Sequence, residues 1–302
     1  MDVATRIATG LVLDGGLATL LERHGADLRD DLWSARVLLE DPDLIRRAHR
    51  EYLAAGADVA ITASYQASFE GFARRGLDRD EAADLFRDSV RLARAAADER
   101  AAATGAEPLV AASIGPYGAM LADGSEYDGR YGLDAPALRE IHRARLETLI
   151  EAGPDLLAVE TIPSAVEAEA MAELLREHPA VPAWVSFSCR DGRSLRDGSS
   201  FVDAAGELAR VPGVVAVGVN CTPPAFVEDL LASAAGIGVP LVAYPNLGST
   251  WDATAKRWLA DGPRPDFGVL APVWRAAGAA AIGGCCGTGP EDIEAIAAAV
   301  AG

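Results

Sequence analysis

The sequence VVAVGVNC at residues 214–221 is an apolar run that ends in an asparagine and a cysteine. It lacks the alternation of apolar and polar residues that a strand with one solvated face would show. An unbroken run rich in valine is typical of a strand buried on both faces, and such strands occur in parallel sheets. The run therefore predicts a parallel sheet whose strand ends carry polar side chains.

Seven further runs of the same kind are spaced along the chain, and each ends in glycine, small or polar residues. They lie at residues 11–16, 59–65, 109–115, 156–161, 183–188, 241–246 and 279–286. The segments between them are predicted amphipathic helices, such as 80–103 and 136–152, and Pro290 followed by acidic residues indicates another helix start. Eight strand–helix units predict an α/β fold, a (β/α)8 TIM barrel that forms a single domain over residues 1–302.

The segment after the third predicted strand is long and runs from residue 115 to residue 134. It contains several glycines together with Tyr117, Tyr127 and Tyr131. Loops after barrel strands lie on the face where active sites form. We therefore expect this insertion to cover the site as a lid.

The composition limits the class of partner. The chain of 302 residues is 50% hydrophobic and has 27 basic and 45 acidic residues, which gives a net charge of −18. Nucleic acids and anionic membranes select for basic surfaces, so the charge argues against both. The chain opens on no apolar signal segment, and no apolar run reaches the roughly 18 residues of a membrane span. We expect a cytoplasmic protein, a monomer or a small homo-oligomer, whose clustered cysteines indicate metal binding or catalysis.

Three of the four cysteines lie at predicted strand ends. Cys221 closes the run quoted above, and Cys285 and Cys286 lie between glycines at the end of the eighth run. Because the carboxyl ends of barrel strands meet at one mouth, these thiolates can hold Zn²⁺ with its fourth position open, as a catalytic zinc requires. Cys189, at the fifth strand, is expected to be a small buried core residue.

The glycine-rich segment 283–289 has a second interpretation as a phosphate loop, since barrels often bind phosphate after strands seven and eight. The vicinal cysteines inside the segment do not suit a phosphate, and the nearest preceding basic residue is Arg275. The sequence therefore favours the metal site.

The remaining polar residues at the predicted strand ends are Asp14, Thr62, Ser113, Glu160, Ser188, Asn220 and Asn246. A single serine or threonine there has an ordinary explanation, because loops begin where strands end. The two carboxylates, Asp14 and Glu160, are suited to hold an α-ammonium group. Trp33 and Tyr65 are aromatic residues near strands one and two that can face a cation, although plain packing would also explain Trp33.

A zinc ion with three thiolates favours one kind of reaction. The centre carries a local charge of −1, is a weak Lewis acid towards water, and lowers the pKa of a fourth thiol while keeping it nucleophilic. The natural reaction is alkyl transfer to sulfur from a sulfonium, because the leaving group is a neutral thioether that needs no acid. A histidine base is not expected, since His24, His49, His142 and His178 all fall in predicted helices or at their ends.

These motifs resemble the homocysteine S-methyltransferase family of zinc-dependent barrels, which also includes betaine–homocysteine methyltransferases. The resemblance covers nearly the whole chain, and its most specific motifs are GGCCGT at 283–288 and Asn220-Cys221, with Glu160-Thr161 in support. Four further segments are similar to the bacterial and plant type that uses S-methylmethionine or S-adenosylmethionine, and they lie at residues 31–35, 61–67, 113–118 and 121–127.

The resemblance implies that Cys221, Cys285 and Cys286 ligate zinc and that the homocysteine thiolate takes the fourth position. It implies that Asp14 and Glu160 hold the amino group of homocysteine. Backbone amides near Gly15 would then bind its carboxylate, and Asn220 would lean towards the metal when substrate is absent.

We therefore expect methyl transfer from S-methylmethionine or S-adenosylmethionine to homocysteine, with zinc as the cofactor and methionine biosynthesis as the role. A betaine-dependent enzyme is one alternative, and a zinc-storing or sensing barrel without turnover is another. The motif segments argue against betaine as the donor. The two carboxylates argue against a store, which needs no amino-acid pocket.

Overall fold

The computed structural model describes residues 1–28, 34–248, 250–252, 257–259 and 263–301. Its main sheet has eight parallel strands: β1 (Leu11–Val12), β2 (Val59–Ile61), β3 (Leu109–Ile114), β4 (Leu156–Ile162), β5 (Ala183–Phe187), β6 (Val214–Asn220), β7 (Leu241–Tyr244) and β10 (Ala279–Ile282). Two short strands, β8 (Thr250–Asp252) and β9 (Arg257–Leu259), form an antiparallel pair outside this sheet. The main sheet follows the order β1-β10-β7-β6-β5-β4-β3-β2, which confirms the predicted TIM barrel.

Helices alternate with the strands along the chain, and most of them cover the outside of the sheet. They are α1 (Val3–Thr9), α2 (Leu17–Arg23), α3 (Ser34–Glu40), α4 (Pro42–Ala54), α5 (Phe69–Ala73), α6 (Arg79–Thr104), α7 (Tyr117–Leu121), α8 (Ala135–Glu151), α9 (Ala165–Glu177), α10 (Phe201–Leu208), α11 (Pro224–Ser233), α12 (Phe267–Ala276) and α13 (Pro290–Val300). The helices predicted at 80–103 and 136–152 are α6 and α8, and α13 begins at Pro290 as expected. Among the described helices, none is both long and apolar enough to cross a membrane.

Side-chain carboxylates close the barrel between β1 and β2. The Asp58 amide donates to the Val12 carbonyl at 2.7 Å, and the Val12 amide donates to the Asp58 carboxylate at 2.8 Å. Further along, the Ile61 amide donates to Asp14 Oδ2 at 2.8 Å. At this seam the carboxylates of Asp58 and Asp14 replace the carbonyl acceptors of a regular ladder. The hydrogen bond from the Ile61 amide also fixes the position of the Asp14 side chain.

The alternation of side chains along each strand separates two cores. Leu109 and Ala111 of β3 point into the barrel, whereas Val110 and Ala112 pack against the surrounding helices. Ile7 of α1 joins the interior cluster, so this helix closes the amino-terminal end of the barrel. Because strand residues alternate with a period of two, the same parity turns a polar set inward at the carboxyl end: Ser113, Glu160, Ser186, Asn220 and Tyr244.

Seven of the eight apolar runs extend past the carboxyl end of their strand, and only β4, which continues to Ile162, is longer than its run. The first run, 11–16, contains a strand of two residues, and the eighth, 279–286, contains a strand that stops at Ile282. Residues beyond Ile282 still hydrogen-bond to their neighbours, as the Gly284 amide does to the Asp14 carbonyl at 3.0 Å, but outside the regular ladder. They leave the ladder because they turn over the mouth of the barrel, where the cysteines lie. Neither α1 nor the β8–β9 pair was expected from the sequence.

Candidate metal centre and substrate cavity

Three cysteine side chains meet at the mouth of the barrel. Cys221 follows β6, and Cys285 and Cys286 follow β10, and their Sγ atoms all lie within 4.8 Å of one another. The Sγ atom of Cys286 is 3.7 Å from that of Cys221 and 4.0 Å from that of Cys285. A tetrahedral zinc with Zn–S bonds of about 2.3 Å requires S–S separations of about 3.8 Å. The cluster therefore has the spacing of three corners of a tetrahedral metal site.

Backbone contacts hold the cysteines in this arrangement. Cys221 has a φ angle of +45°, a left-handed conformation that a non-glycine residue adopts at some energetic cost. Its amide donates to the Tyr244 carbonyl at 3.2 Å, and its carbonyl accepts from Asn246 Nδ2 at 3.2 Å. The Cys285 amide donates to the Pro245 carbonyl at 2.8 Å. These bonds place the thiols before any ion binds.

The pKa values of the three thiols indicate that a bound cation is needed to deprotonate all of them. Hydrogen bonds from the Cys285 and Cys286 thiols hold the pKa of Cys221 well below its usual range, and the Arg196 charge adds to this effect. Hydrogen bonds to Cys221 raise the pKa values of Cys285 and Cys286 well above the usual range, and burial and the negative charge of Cys221 raise them further. Without a cation the cluster therefore resists carrying three negative charges. A divalent metal ion would remove that resistance, because metal ligation deprotonates thiols.

Two reciprocal hydrogen bonds with Thr161 hold the Asn220 side chain beside the thiols. Asn220 Oδ1 accepts from the Thr161 amide at 2.7 Å and from Ser186 Oγ at 2.9 Å. Its Nδ2 donates to Thr161 Oγ1 at 2.7 Å and approaches Cys285 Sγ at 3.9 Å. Thr161 itself has a φ angle of +63° beside a register shift between β4 and β5. The amide nitrogen, rather than the oxygen, faces the sulfur cluster.

Two buried carboxylates face the cavity next to the thiols. Asp14 is 2% exposed, and its Oδ1 has no hydrogen-bond partner among the described residues. Burial raises the pKa of Asp14 well above its usual value, and the charge of Glu160 raises it further. Glu160 accepts a short hydrogen bond from Ser113 Oγ, and burial raises its pKa to about 7. A buried acceptor without a donor is unfavourable, so the pair is suited to a ligand that brings N–H groups and a positive charge.

The cavity combines these groups. It is lined by Asp14, Gly15, Tyr65, Glu160, Asn220, Cys221, Cys285 and Cys286, so the structure brings together every candidate residue that it describes. Trp33 lies outside the described residues. Cys189 is fully buried and away from the cluster, and burial raises the pKa of its thiol to about 12, as expected for a core residue.

The structure adds residues that the sequence did not single out. Tyr244 Oη accepts from Trp184 Nε1 at 3.0 Å and lies 2.5 Å from Ser186 Oγ, and it forms part of the cavity wall. The Arg196 guanidinium donates to Ser188 Oγ at 3.2 Å and lies 5.5 Å from the centre of the Tyr127 ring. Strand parity would have found Tyr244, because it lies two residues after the inward-facing Val242. No comparable pattern marks Arg196, which comes from a loop.

The predicted lid segment, 115–134, contributes to the cavity wall. It contains α7 and a 3₁₀ turn at Ser125–Tyr127, and both Glu126 and Tyr127 line the cavity. Tyr127 Oη lies 3.9 Å from Cys221 Sγ. The insertion therefore lies over the sulfur cluster, and its opening and closing stay a prediction.

Comparisons with known proteins agree with this geometry. The sequence profile of the family described as "Homocysteine S-methyltransferase" matches residues 11–300. Homocysteine S-methyltransferase YbgG of Bacillus subtilis is 48% identical over 95% of this chain and 93% of its own length. Homocysteine S-methyltransferase 1 of Arabidopsis thaliana is 48% identical over 98% of this chain and 94% of its own length.

A solved structure has the same fold over almost the whole chain. The metallated form of the homocysteine methyltransferase MmuM from Escherichia coli superposes with a TM-score of 0.87 at 46% sequence identity. The match covers 96% of each chain. The MmuM structure is of the metallated protein, and the cysteine cluster of this chain is suited to a metal ion as well.

Proposed function

Because the chain belongs to the homocysteine S-methyltransferase family, we propose that it methylates homocysteine with S-methylmethionine, or with S-adenosylmethionine, to form methionine. The observation that carries the proposal is a pair of buried carboxylates beside three clustered thiols in one cavity. The thiols suit a metal that binds sulfur, and the carboxylates suit the ammonium group of an amino acid. A thiol-bearing amino acid satisfies both.

Zinc is the metal that this donor set favours. Three cysteines and no other cluster of potential ligands are found among the described residues, and thiolates at this spacing fit a tetrahedral zinc site. When bound, zinc would supply a fourth position that takes the homocysteine sulfur as a thiolate at neutral pH. Cys221, Cys285 and Cys286 would hold it.

Asp14 and Glu160 would orient homocysteine. Asp14 Oδ1 lacks a donor, whereas Asp14 Oδ2 is held by the Ile61 amide, so one oxygen is fixed and the other is available. An α-ammonium group supplies the missing donor and balances two negative charges that burial would otherwise disfavour. The backbone at Gly15, which also lines the cavity, would take the substrate carboxylate.

The transfer itself needs little from the protein besides position and charge. The sulfur of homocysteine attacks the methyl carbon, the new C–S bond forms, and the old C–S bond leaves its electron pair on the donor sulfur. The departing group is then a neutral thioether, which requires no proton. The absence of histidine from the described cavity wall is consistent with this chemistry. The rings of Tyr65 and Tyr127 would face the sulfonium, and Trp33 remains a predicted donor contact.

Assays with each donor in turn test the proposal. We expect turnover of homocysteine with S-methylmethionine, slower turnover with S-adenosylmethionine because the adenosyl group is bulky, and very little with betaine. Zinc and homocysteine binding are measured on the same preparation. Betaine as the best donor would overturn the donor assignment and leave the metal site intact. Zinc retention with no homocysteine binding and no turnover would favour a storage role instead.

A further inference from the structure

The cavity contains a third buried carboxylate that has no role in the proposed methyl transfer. Glu126 lies in the 3₁₀ turn at Ser125–Tyr127, lines the cavity and is only 8% exposed. Its Oε2 has no hydrogen-bond partner among the described residues. An acceptor buried in this way is unfavourable unless a ligand brings a donor to it.

The position of Glu126 is fixed by close packing. A Cβ atom at Gly118 would lie 2.3 Å from the Glu126 amide nitrogen, so α7 can pack on this turn only because residue 118 is glycine. The Tyr127 amide donates to the Gly124 carbonyl at 3.0 Å, and Asp123 Oδ1 accepts from the Ser125 amide at 2.9 Å. The carboxylate is therefore held against the cavity by a short, well-defined turn.

Glu126 is electrostatically distinct from the other two carboxylates. Asp14 is influenced by the charge of Glu160, whereas the charges that act on Glu126 are those of Cys221 and Asp123. Burial is the main reason that its pKa rises to about 7. The cavity thus contains an acidic pair on the barrel and a separate acidic group on the insertion.

The proposed reaction has two substrates, and S-methylmethionine carries an α-ammonium group just as homocysteine does.

We propose that Glu126 binds the α-ammonium group of the methyl donor. The inference rests on the proposed function and extends it to the donor subsite. Two chemical arguments favour the ammonium over the sulfonium as the partner of Glu126. A sulfonium has no N–H group and cannot satisfy Oε2. Its charge also disappears as the methyl group moves, so a carboxylate against it would stabilise the ground state more than the transition state. The ammonium keeps its charge throughout.

The test compares a donor with and without the ammonium group. The substitution is Glu126→Gln, and Asp128→Asn is the matched control, because Asp128 is an exposed carboxylate on the same insertion. The donors are S-methylmethionine and 3-(dimethylsulfonio)propionate, a methyl sulfonium that lacks the α-ammonium. Both are assayed at saturating homocysteine, with enough enzyme to quantify slow turnover, together with zinc content and the KM for homocysteine.

We expect Glu126→Gln to raise the KM for S-methylmethionine about 10-fold or more, as for a lost hydrogen bond to a charged group. Zinc content, homocysteine KM and kcat/KM for the ammonium-free donor should stay within about two-fold of wild type, and Asp128→Asn should change none of them. The preference for S-methylmethionine over the ammonium-free donor therefore falls by the same factor.

Other results would overturn the inference. An equal loss with both donors would assign Glu126 to the sulfonium or to the fold of the insertion. A selective rise in homocysteine KM would assign it to the acceptor. Wild-type kinetics with both donors and with homocysteine would show that Glu126 binds none of these groups. Failure of the wild-type protein to methylate homocysteine with S-methylmethionine would refute the proposed function instead, and that result is obtained before any variant is made.

Discussion

Neutralising Glu160 without changing its shape tests how homocysteine is recognised. The side chain is 7% exposed, accepts a hydrogen bond from Ser113 Oγ and lies in the same cavity as Asp14 and the three cysteines. Glu160→Gln keeps the volume and an acceptor oxygen for Ser113. It removes the charge that would face the ammonium group.

The expected magnitude follows from that single lost charge. A hydrogen bond to a charged group contributes about 1.5–3 kcal/mol, and each 1.4 kcal/mol corresponds to a factor of about ten. The KM for homocysteine should therefore rise about 10- to 150-fold. The α-ammonium keeps its charge during methyl transfer, so binding is lost equally in the ground and transition states and kcat should change little.

The pH dependence gives the same test a second readout. Burial raises the pKa of Glu160 to about 7, so the protonated form accumulates as the pH falls below that value. A neutral carboxyl holds an ammonium weakly, and the wild-type KM for homocysteine should rise between about pH 8 and pH 6. In Glu160→Gln this part of the rise should be absent.

The assay is the initial rate at saturating S-methylmethionine with homocysteine varied, at three pH values, with zinc measured per chain. Glu107→Gln, an exposed carboxylate remote from the cavity lining, is the matched control and should behave as wild type. An unchanged KM for homocysteine in Glu160→Gln would refute the assignment of the acidic pair to the substrate ammonium. Loss of zinc from the variant would show that Glu160 supports the metal site instead.

Two further predictions concern the metal and the stability of the fold. The wild-type protein should bind about one zinc per chain. The double variant Cys285→Ala, Cys286→Ala should lose both the zinc and the activity, while its circular dichroism spectrum stays that of the wild type. Full zinc retention would contradict the site assignment. His49 is fully buried, and burial lowers its pKa in the folded protein to about 4. As the pH falls below about 6.5, the unfolded chain therefore takes up a proton that the folded protein does not, and the folded state loses stability until about pH 4. At about pH 5 this loss should be about 2 kcal/mol, and urea unfolding of His49→Leu at pH 7.5 and 5 should show a correspondingly smaller decrease. Equal pH sensitivity of wild type and variant would exclude His49 as the cause.

The sequence determined the barrel and the identity of the sulfur cluster. Each of the eight apolar runs overlaps one strand of the barrel, because strands buried on both faces are apolar along their length and therefore stand out in the sequence. Cys221, Cys285 and Cys286 could be assigned to one site from the sequence, because the carboxyl ends of parallel strands must meet at one face. Asp14 and Glu160 followed from the same rule.

The tertiary structure decided what the one-dimensional pattern does not contain. Local sequence favours a strand through residue 286, but the regular strand ends at Ile282, and the amides of Gly284 and Cys285 donate to the carbonyls of Asp14 and Pro245, which lie outside the strands. Glu126 and Arg196 come from loops, whose paths depend on contacts far away in the chain rather than on a period of two or 3.6. Burial and partnering are also properties of the folded chain. The unpartnered oxygens of Asp14 and Glu126 become evident only in the folded chain, and our proposals for the two substrate subsites start from them.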